Sequence, residues 1–216
     1  GNSDLAGATS PVLPLNNVLL TDSGTYRCVI YSTCDTITSN AVRVNISVPV
    51  TISMQPAGLF TPCTGSMIRL DIAASGDVTG YQWRKNGISL TDDSHVSGAQ
   101  TTSLIITAVS TGDDGLYTCD IIGTCNTITS SVARVDVQAP PDIIFHPADY
   151  SALSGSNADF VVNASGDSLH YQWYFNGTPL TDGGGISGST SSHLNILNVN
   201  LSHQGAYNVV VTGYCG

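Results

Sequence analysis

Apolar and polar residues alternate along short stretches of this chain. Leu70, Ile72 and Ala74 are separated by single intervening residues, and the apolar residues of 160–164 repeat the same spacing. A period of two places successive side chains on opposite faces of a β-strand. No window of ten or more residues shows convincing helical periodicity. The pattern therefore predicts many short strands joined by turns, which is typical of an all-β sandwich.

The same features return about every 90 residues. YQWRKNG at 81–87 matches YQWYFNG at 171–177, and three tyrosines and three cysteines recur at intervals of 91 and 90 residues. These recurring positions are Tyr26, Tyr117 and Tyr207, and Cys34, Cys125 and Cys215. A fixed period of this length predicts tandem copies of one module.

The repeat divides the chain into three units, with prolines at both boundaries. Residues 1–49 correspond to the second half of a domain (strands E to G), residues 50–139 to a complete domain, and residues 140–216 to a domain that lacks its last strand. Half a sandwich leaves its core face uncovered. We therefore expect the missing strands to come from a longer parent chain or from a neighbouring subunit.

Composition narrows the function classes. The 216 residues carry a net charge of −10, and all 16 acidic residues are Asp, a residue typical of turns. The six Lys and Arg residues are scattered apart from one adjacent pair. Nucleic acids need clustered cations, so a nucleic-acid partner is excluded. No apolar run approaches the length of a membrane span, which argues against direct membrane insertion.

The motif Asp-x-Gly-x-Tyr-x-Cys appears as DSGTYRC at 22–28 and as DDGLYTC at 113–119. A Trp followed by this motif resembles the immunoglobulin-like fold. The resemblance implies tandem β-sandwich domains with an interior Trp and a Tyr that hydrogen-bonds the backbone at a corner. The residues concerned are Trp83, Trp173, Tyr26, Tyr117 and Tyr207. In the third unit His203 replaces the Asp, so we expect that corner to keep only its Gly205 and Tyr207.

The ends of the units carry a further resemblance. STCDTITSNAVRV at 32–44 and GTCNTITSSVARV at 123–135 are similar to the bacterial immunoglobulin-like repeats that occur in tandem in large secreted or surface-attached proteins. The resemblance covers essentially the whole chain. It implies an extracellular or cell-surface location, which the use of cysteine also fits.

The same resemblance implies a disulfide between Cys63 and Cys125. The alternative pairing joins Cys119 to Cys125 and Cys28 to Cys34 across each hairpin. Cys215 aligns with Cys125, but Leu153 stands in the place of Cys63. Cys215 is thus expected to lack a partner in its own domain and to be available for a bridge to another chain.

No residue pattern indicates catalysis or metal binding. The five histidines lack ligand spacing, and no nucleophile motif is present. We therefore predict a protein that is not an enzyme and needs no cofactor. Tyr174 and Phe175 replace a cationic pair of the second unit, so one of them should point outward and mark an interface.

Two kinds of glycosylation motif are present. Thr36 in DTI and Ser168 in DSL match an O-glycosylation acceptor used by bacteria with such repeats. Four Asn-x-Ser/Thr motifs, which a bacterial product would usually leave unmodified, begin at Asn45, Asn163, Asn176 and Asn200.

These observations favour a structural extracellular protein, whose modules self-associate or pack on neighbouring repeats in a filament, stalk or surface layer. The alternative is an adhesin segment that binds glycan or protein ligands through its loops. Extensive packing between chains would distinguish the first, and an open binding site the second.

Overall fold

The computed structural model describes residues 4–216 and contains strands, turns and three short 3-10 helices. The first unit consists of one such helix and two small antiparallel pairs, β1 with β4 and β2 with β3. Its elements are η1 (Leu20–Asp22), β1 (Gly24–Tyr26), β2 (Val29–Tyr31), β3 (Thr36–Thr38) and β4 (Val42–Val44).

The second unit, which we call the second domain, is a sandwich of two layers. Its strands are β5 (Thr51–Met54), β6 (Leu59–Phe60), β7 (Ile68–Asp71), β8 (Ala73–Ser75), β9 (Val78–Lys85), β10 (Ile88–Ser89), β11 (Val96–Ser97), β12 (Ser103–Ile106), β13 (Gly115–Gly123), β14 (Thr127–Thr129) and β15 (Ala133–Val135), with η2 (Thr111–Asp113) before β13. One layer has the order β10-β9-β13-β15-β6, with β14 also paired to β13. The other contains β11-β12-β7 and the pair of β5 with β8.

The third unit, the third domain, repeats most of this plan. Its elements are β16 (Asp142–Phe145), β17 (Ala158–Val161), β18 (Asn163–Ser165), β19 (His170–Phe175), β20 (Thr178–Pro179), β21 (Ile186–Ser187), β22 (His193–Ile196), η3 (Leu201–His203) and β23 (Tyr207–Thr212). β20-β19-β23 form one layer, and β17-β22-β21 with the pair of β16 and β18 form the other. Within residues 4–216, no strand occupies the place that β15 has in the second domain.

Each of these two domains has its own hydrophobic core between the layers. Trp83 and Trp173 are fully buried at the centre, and the N–H of each indole donates to a backbone carbonyl, of Thr101 at 3.0 Å and of Ser191 at 2.9 Å. An aromatic ring of this size supplies a large buried apolar area, and its one polar atom is satisfied by the hydrogen bond.

The first unit shows what the alternating pattern does without a facing layer. Val109 and Val199 are buried, whereas the equivalent Val18 is 46% exposed. Strands that would face it, like β7 and β9 of the second domain, are not found in residues 4–49. Burial of these valines therefore depends on the presence of the opposite sheet.

Candidate functional site

Each of the three units contains a tyrosine corner at the position that the repeat predicts. The hydroxyl of Tyr117 donates to the backbone carbonyl of Asp113 at 2.8 Å, and Tyr26 makes the same bond to Asp22 at 2.7 Å. The Asp113 carboxylate in turn accepts the N–H of Ser110 at 2.8 Å. This bond satisfies the first free donor of the short helix.

The third corner is more complete than its sequence indicates. The hydroxyl of Tyr207 donates to the carbonyl of His203 at 3.0 Å, and Nδ1 of His203 accepts the N–H of Asn200 at 3.1 Å. The histidine nitrogen thus takes over the acceptor role of the Asp carboxylate. The expectation that this corner keeps only Gly205 and Tyr207 is wrong, because an imidazole nitrogen can accept the same hydrogen bond.

The disulfide pairing also differs from the expectation. Cys63 bonds to Cys215 and joins the second domain to the third, while Cys125 is unpaired and exposed. The Cys63 turn lies at the end of the second domain that contacts the linker leaving it, since the N–H of Thr64 donates to the carbonyl of Gln138. Cys125 lies near the linker that enters this domain, beside Asn126. The sulfur atoms of Cys63 and Cys125 are therefore at opposite ends of one sandwich.

The remaining cysteines do not form the alternative bridges. Cys28 and Cys34 are exposed and unpaired, and Cys119 is buried and unpaired. Burial raises the pKa of the Cys119 thiol to about 12, which keeps it neutral and unreactive. Cys215, which was expected to bridge to another chain, is used within this one.

A second contact supports the disulfide at the joint between the two domains. The hydroxyls of Thr61 and Tyr214 lie 2.9 Å apart, and the sulfur of Cys215 approaches the carbonyl of Gln138 at 3.6 Å. Sequence reasoning missed Tyr214, because nothing in the spacing of the repeat indicates a contact between domains.

Both linkers are held by an aspartate in the same way. The Asp167 carboxylate accepts the N–H of Ala139 at 2.7 Å, and the Asp77 carboxylate accepts the N–H of Val48 at 2.9 Å. The linker passes so close to Gly76 that a Cβ there would lie 2.3 Å from the carbonyl oxygen of Pro49. The repeated SGD at 75–77 and 165–167 is a signal that sequence analysis could have used.

The outer face of β9 and β13 in the second domain, which we call the β9–β13 face, carries an ion pair. Arg84 donates to Asp120 at 2.7 Å, and the hydroxyl of Thr129 donates to the other oxygen of that carboxylate at 2.7 Å. Although burial alone would raise it, hydrogen bonds from Arg84 and Thr129 hold the pKa of Asp120 below its ordinary value. This face also exposes Leu116 and Ile122.

The corresponding β19–β23 face of the third domain carries no ion pair. Tyr174 stands where Arg84 stands in the second domain, and Val210 stands where Asp120 does. Phe175 lies on the inner side, with its ring 4.8 Å from that of Tyr207, so alternation places Tyr174 on the outer side. Tyr174 and Val210, together with Gln172 and Asn208, form an uncharged surface.

A groove of about 670 Å³ opens beside Tyr150, Phe160 and Tyr207 in the third domain. It lies where β15 packs in the second domain, and only one edge of β23 is paired within residues 4–216. Its lining mixes polar and apolar residues of the loop at 147–154, of β17 and β22, and of the segment 199–207.

Neither metal-binding nor membrane-spanning features emerge from the part of the chain that the structure describes. No group of three or more His, Cys, Asp or Glu side chains within residues 4–216 could hold an ion. No helix there is long and apolar enough to cross a membrane.

The two O-glycosylation candidates are both accessible. Thr36 lies exposed in β3, and Ser168 lies exposed in the turn before β19.

Comparison with known families identifies the class. Residues 55–137 match the immunoglobulin I-set domain and residues 140–212 match an immunoglobulin domain, so together the two matches cover well over half of the chain. The chain therefore contains tandem immunoglobulin domains with an all-β fold.

The similar proteins come from animals. Contactin-3 of Rattus norvegicus is 29% identical over 210 residues, which are 90% of this chain and 20% of that protein. Hemicentin-1 of Homo sapiens is 27% identical over 216 residues, 94% of this chain and 4% of that protein. This chain therefore spans about a fifth or less of the length of these relatives.

Solved structures agree on the fold. The N-terminal eight Ig domains of Down Syndrome Cell Adhesion Molecule superpose with a TM-score of 0.64 at 20% identity, covering 89% of this chain and 26% of that one. The insect immune protein hemolin, whose structure is described as having implications for homophilic adhesion, superposes at 0.54 with 16% identity, covering 91% and 55%.

These relatives bear on three expectations. The bacterial origin is not supported, because the similar proteins are animal cell-adhesion proteins. O-glycosylation of Thr36 and Ser168, which that resemblance implied, stays a prediction. The filament gains no support either, and the adhesion alternative fits the relatives better.

Proposed function

We propose that this chain is an extracellular segment of an adhesion protein and that it binds a second copy of itself through the β19–β23 face of its third domain. The observation that carries the proposal is the similarity of nearly the whole chain to cell-adhesion proteins of the immunoglobulin class. Such proteins act by binding.

Charge favours the third domain as the binding surface. Two copies that each carry a net charge of −10 repel one another, so a surface without local charge favours their association. Tyr174, Gln172, Asn208 and Val210 form such a surface, and Val210 is 44% exposed. Tyrosine is a frequent centre of binding energy because its ring is large and rigid and its hydroxyl still forms hydrogen bonds.

The joint between the domains supports this role. The Cys63–Cys215 disulfide and the Asp167 bond to the linker limit rotation of the third domain against the second. A surface that is held in a fixed direction loses less entropy on binding than one that swings freely. The joint therefore presents the β19–β23 face in one orientation.

Bead aggregation tests the proposal. Beads coated with the chain should cluster, and Tyr174→Asp should abolish clustering because it places a charge at the centre of the neutral face. Val161→Asp is the matched control, since it adds a carboxylate at an exposed apolar position of the opposite sheet and should leave clustering unchanged. If wild-type beads stay dispersed, or if both variants behave alike, the proposed surface is wrong.

A further inference from the structure

The four Asn-x-Ser/Thr motifs differ in what their asparagine side chains do. N-glycosylation attaches a sugar to the side-chain nitrogen of Asn in secreted proteins, and it needs an exposed motif. Since the relatives are animal cell-adhesion proteins, the argument that such motifs stay unmodified in a bacterial product no longer holds. The structure can then separate motifs that tolerate a glycan from those that do not.

Asn163 is free to carry a sugar. It begins β18 on the outer face of the sheet, directly after the buried Val162, and Ser165 lies two residues later on the same exposed face. Among the hydrogen bonds of residues 4–216, none involves the side chain of Asn163 or Ser165. A glycan on this nitrogen would therefore extend into solvent without breaking a contact of the fold.

Asn176 is held by the fold. It has a positive φ of 45° in the turn between β19 and β20, and its side-chain oxygen accepts the N–H of Ala206 at 2.9 Å. Its amide group lies against Gly205, where an added Cβ would approach both amide heavy atoms to 2.6 Å. A sugar on this nitrogen would have to displace the amide from Gly205.

The second domain explains why an asparagine stands at this position. Asn86 has a φ of 50°, and its side-chain oxygen accepts the N–H of Leu116 at 2.9 Å, which is the same bond in the equivalent turn. Asn86 is followed by Gly87 and Ile88, so it forms no glycosylation motif. This bond to β13, or to the residue before β23 in the third domain, explains why an asparagine stands here. Thr178 completes the motif in the third domain, and no glycan is needed to explain the asparagine.

We propose that Asn163 is an N-glycosylation site and that Asn176 is not. In the transfer, the Asn163 side-chain nitrogen bonds to the first sugar carbon of a lipid-diphosphate-linked oligosaccharide. The bond from that carbon to the diphosphate oxygen breaks, the lipid diphosphate leaves with the electron pair, and the amide nitrogen loses one proton. The reaction requires passage through a secretory pathway, but it does not depend on the proposed adhesion surface.

The glycan has a physical consequence for the third domain. Phe145, which is 66% exposed, is the cross-strand partner of Asn163 in β16, and Val161, which is 57% exposed, lies two residues before Asn163 at the end of β17. Exposed apolar side chains grouped in this way are prone to unwanted association, and a hydrophilic glycan among them would shield them. Ala73 stands at the equivalent position of the second domain, so the shield is confined to the third domain and leaves the β19–β23 face open.

Site occupancy is measured on the whole chain secreted from animal cells. Ser47→Ala and Ser202→Ala first remove the motifs at Asn45 and Asn200, which leaves two motifs to compare. Treatment with peptide-N-glycosidase in ¹⁸O-water converts each glycosylated Asn to labelled Asp, and peptide mass spectrometry reads each site. We expect Asn163 to be labelled and Asn176 to be unlabelled.

Two further variants provide matched controls, because each destroys a motif without touching its asparagine. Ser165→Ala should remove the glycan and increase electrophoretic mobility, whereas Thr178→Ala should change neither. The proposal is overturned if secreted protein has no sugar on Asn163, or if Asn176 is occupied to the same extent.

Discussion

Cys63 and Cys215 are bonded across two domains, 152 residues apart in the sequence. Each cysteine lies in a turn at the facing end of its sandwich, and the linker residue Gln138 contacts both turns. The bond therefore controls how the domains are oriented and contributes little to the core of either one.

Cys63→Ser should loosen the joint and leave both cores intact. We expect faster proteolysis within residues 138–141 and a larger maximum dimension in small-angle X-ray scattering, with little change in the unfolding temperature. Cys125→Ser is the control, because that thiol is unpaired and exposed and should have no effect. A peptide map of the oxidised wild type that links Cys63 to Cys125 would contradict the structure.

Loss of either linker aspartate should loosen its linker, but to a different extent. Asp77→Ala removes the bond to the N–H of Val48, and Asp167→Ala removes the bond to the N–H of Ala139. Only the second joint also has a disulfide, so hydrogen exchange should rise more around Val48 in the first variant than around Ala139 in the second. Equal increases would mean that the disulfide does not support the linker.

Tyr117→Phe should destabilise the second domain by about 1–3 kcal/mol, because it leaves the buried carbonyl of Asp113 without its donor. Burial raises the pKa of Tyr117, in keeping with a hydroxyl that stays protonated and donates. Tyr207→Phe should cost less, since Tyr207 is only partly buried. Denaturant unfolding followed by hydrogen exchange in each domain measures both, and the reverse order would count against this account.

His203 should be replaceable by Asp but not by Ala. His203→Ala removes the acceptor for the N–H of Asn200 and should lower stability by about 1 kcal/mol, as the loss of a helix cap does. His203→Asp restores the carboxylate found at Asp22 and Asp113 and should match or exceed the wild type. Calorimetry of the full chain distinguishes these outcomes, and an equal loss in both variants would show that the nitrogen is not a cap.

The stability of the second domain should depend on pH through His95. A hydrogen bond to the Asp113 carboxylate, at 2.9 Å, raises the pKa of His95 above its ordinary 6.5, and nearby Asp93 adds to the effect. A raised folded-state pKa stabilises the domain fully below pH 6.5, and this contribution is lost as the pH rises through the folded-state pKa. The pair is partly exposed, so the loss should be below about 1 kcal/mol.

Unfolding midpoints measured from pH 6 to pH 8 test this effect. The wild type should lose stability across that range relative to His95→Gln, while His146→Gln should behave as the wild type does, since His146 is exposed and makes no such pair. If the unfolding midpoints of the wild type and of His95→Gln change with pH in parallel, the His95–Asp113 ion pair does not contribute to stability.

The sequence by itself determined the architecture. Alternation and the 90-residue repeat predict the strands and the sandwich, because the side-chain period of a strand and the turn residues are local properties. The immunoglobulin-like class, shown by the comparisons, follows from short motifs that include the strings around Trp83 and Tyr117. Local chemistry is sufficient at these positions because each residue acts within its own domain.

Only the tertiary structure decided which distant groups meet. Cys63 has several candidate partners in the sequence, and the choice depends on which ends of two sandwiches face each other. His203 and Asn176 likewise owe their roles to a hydrogen bond whose partner is positioned by the fold. Contacts of this kind depend on distances between elements that a linear pattern does not contain, so they had to be read from the folded chain.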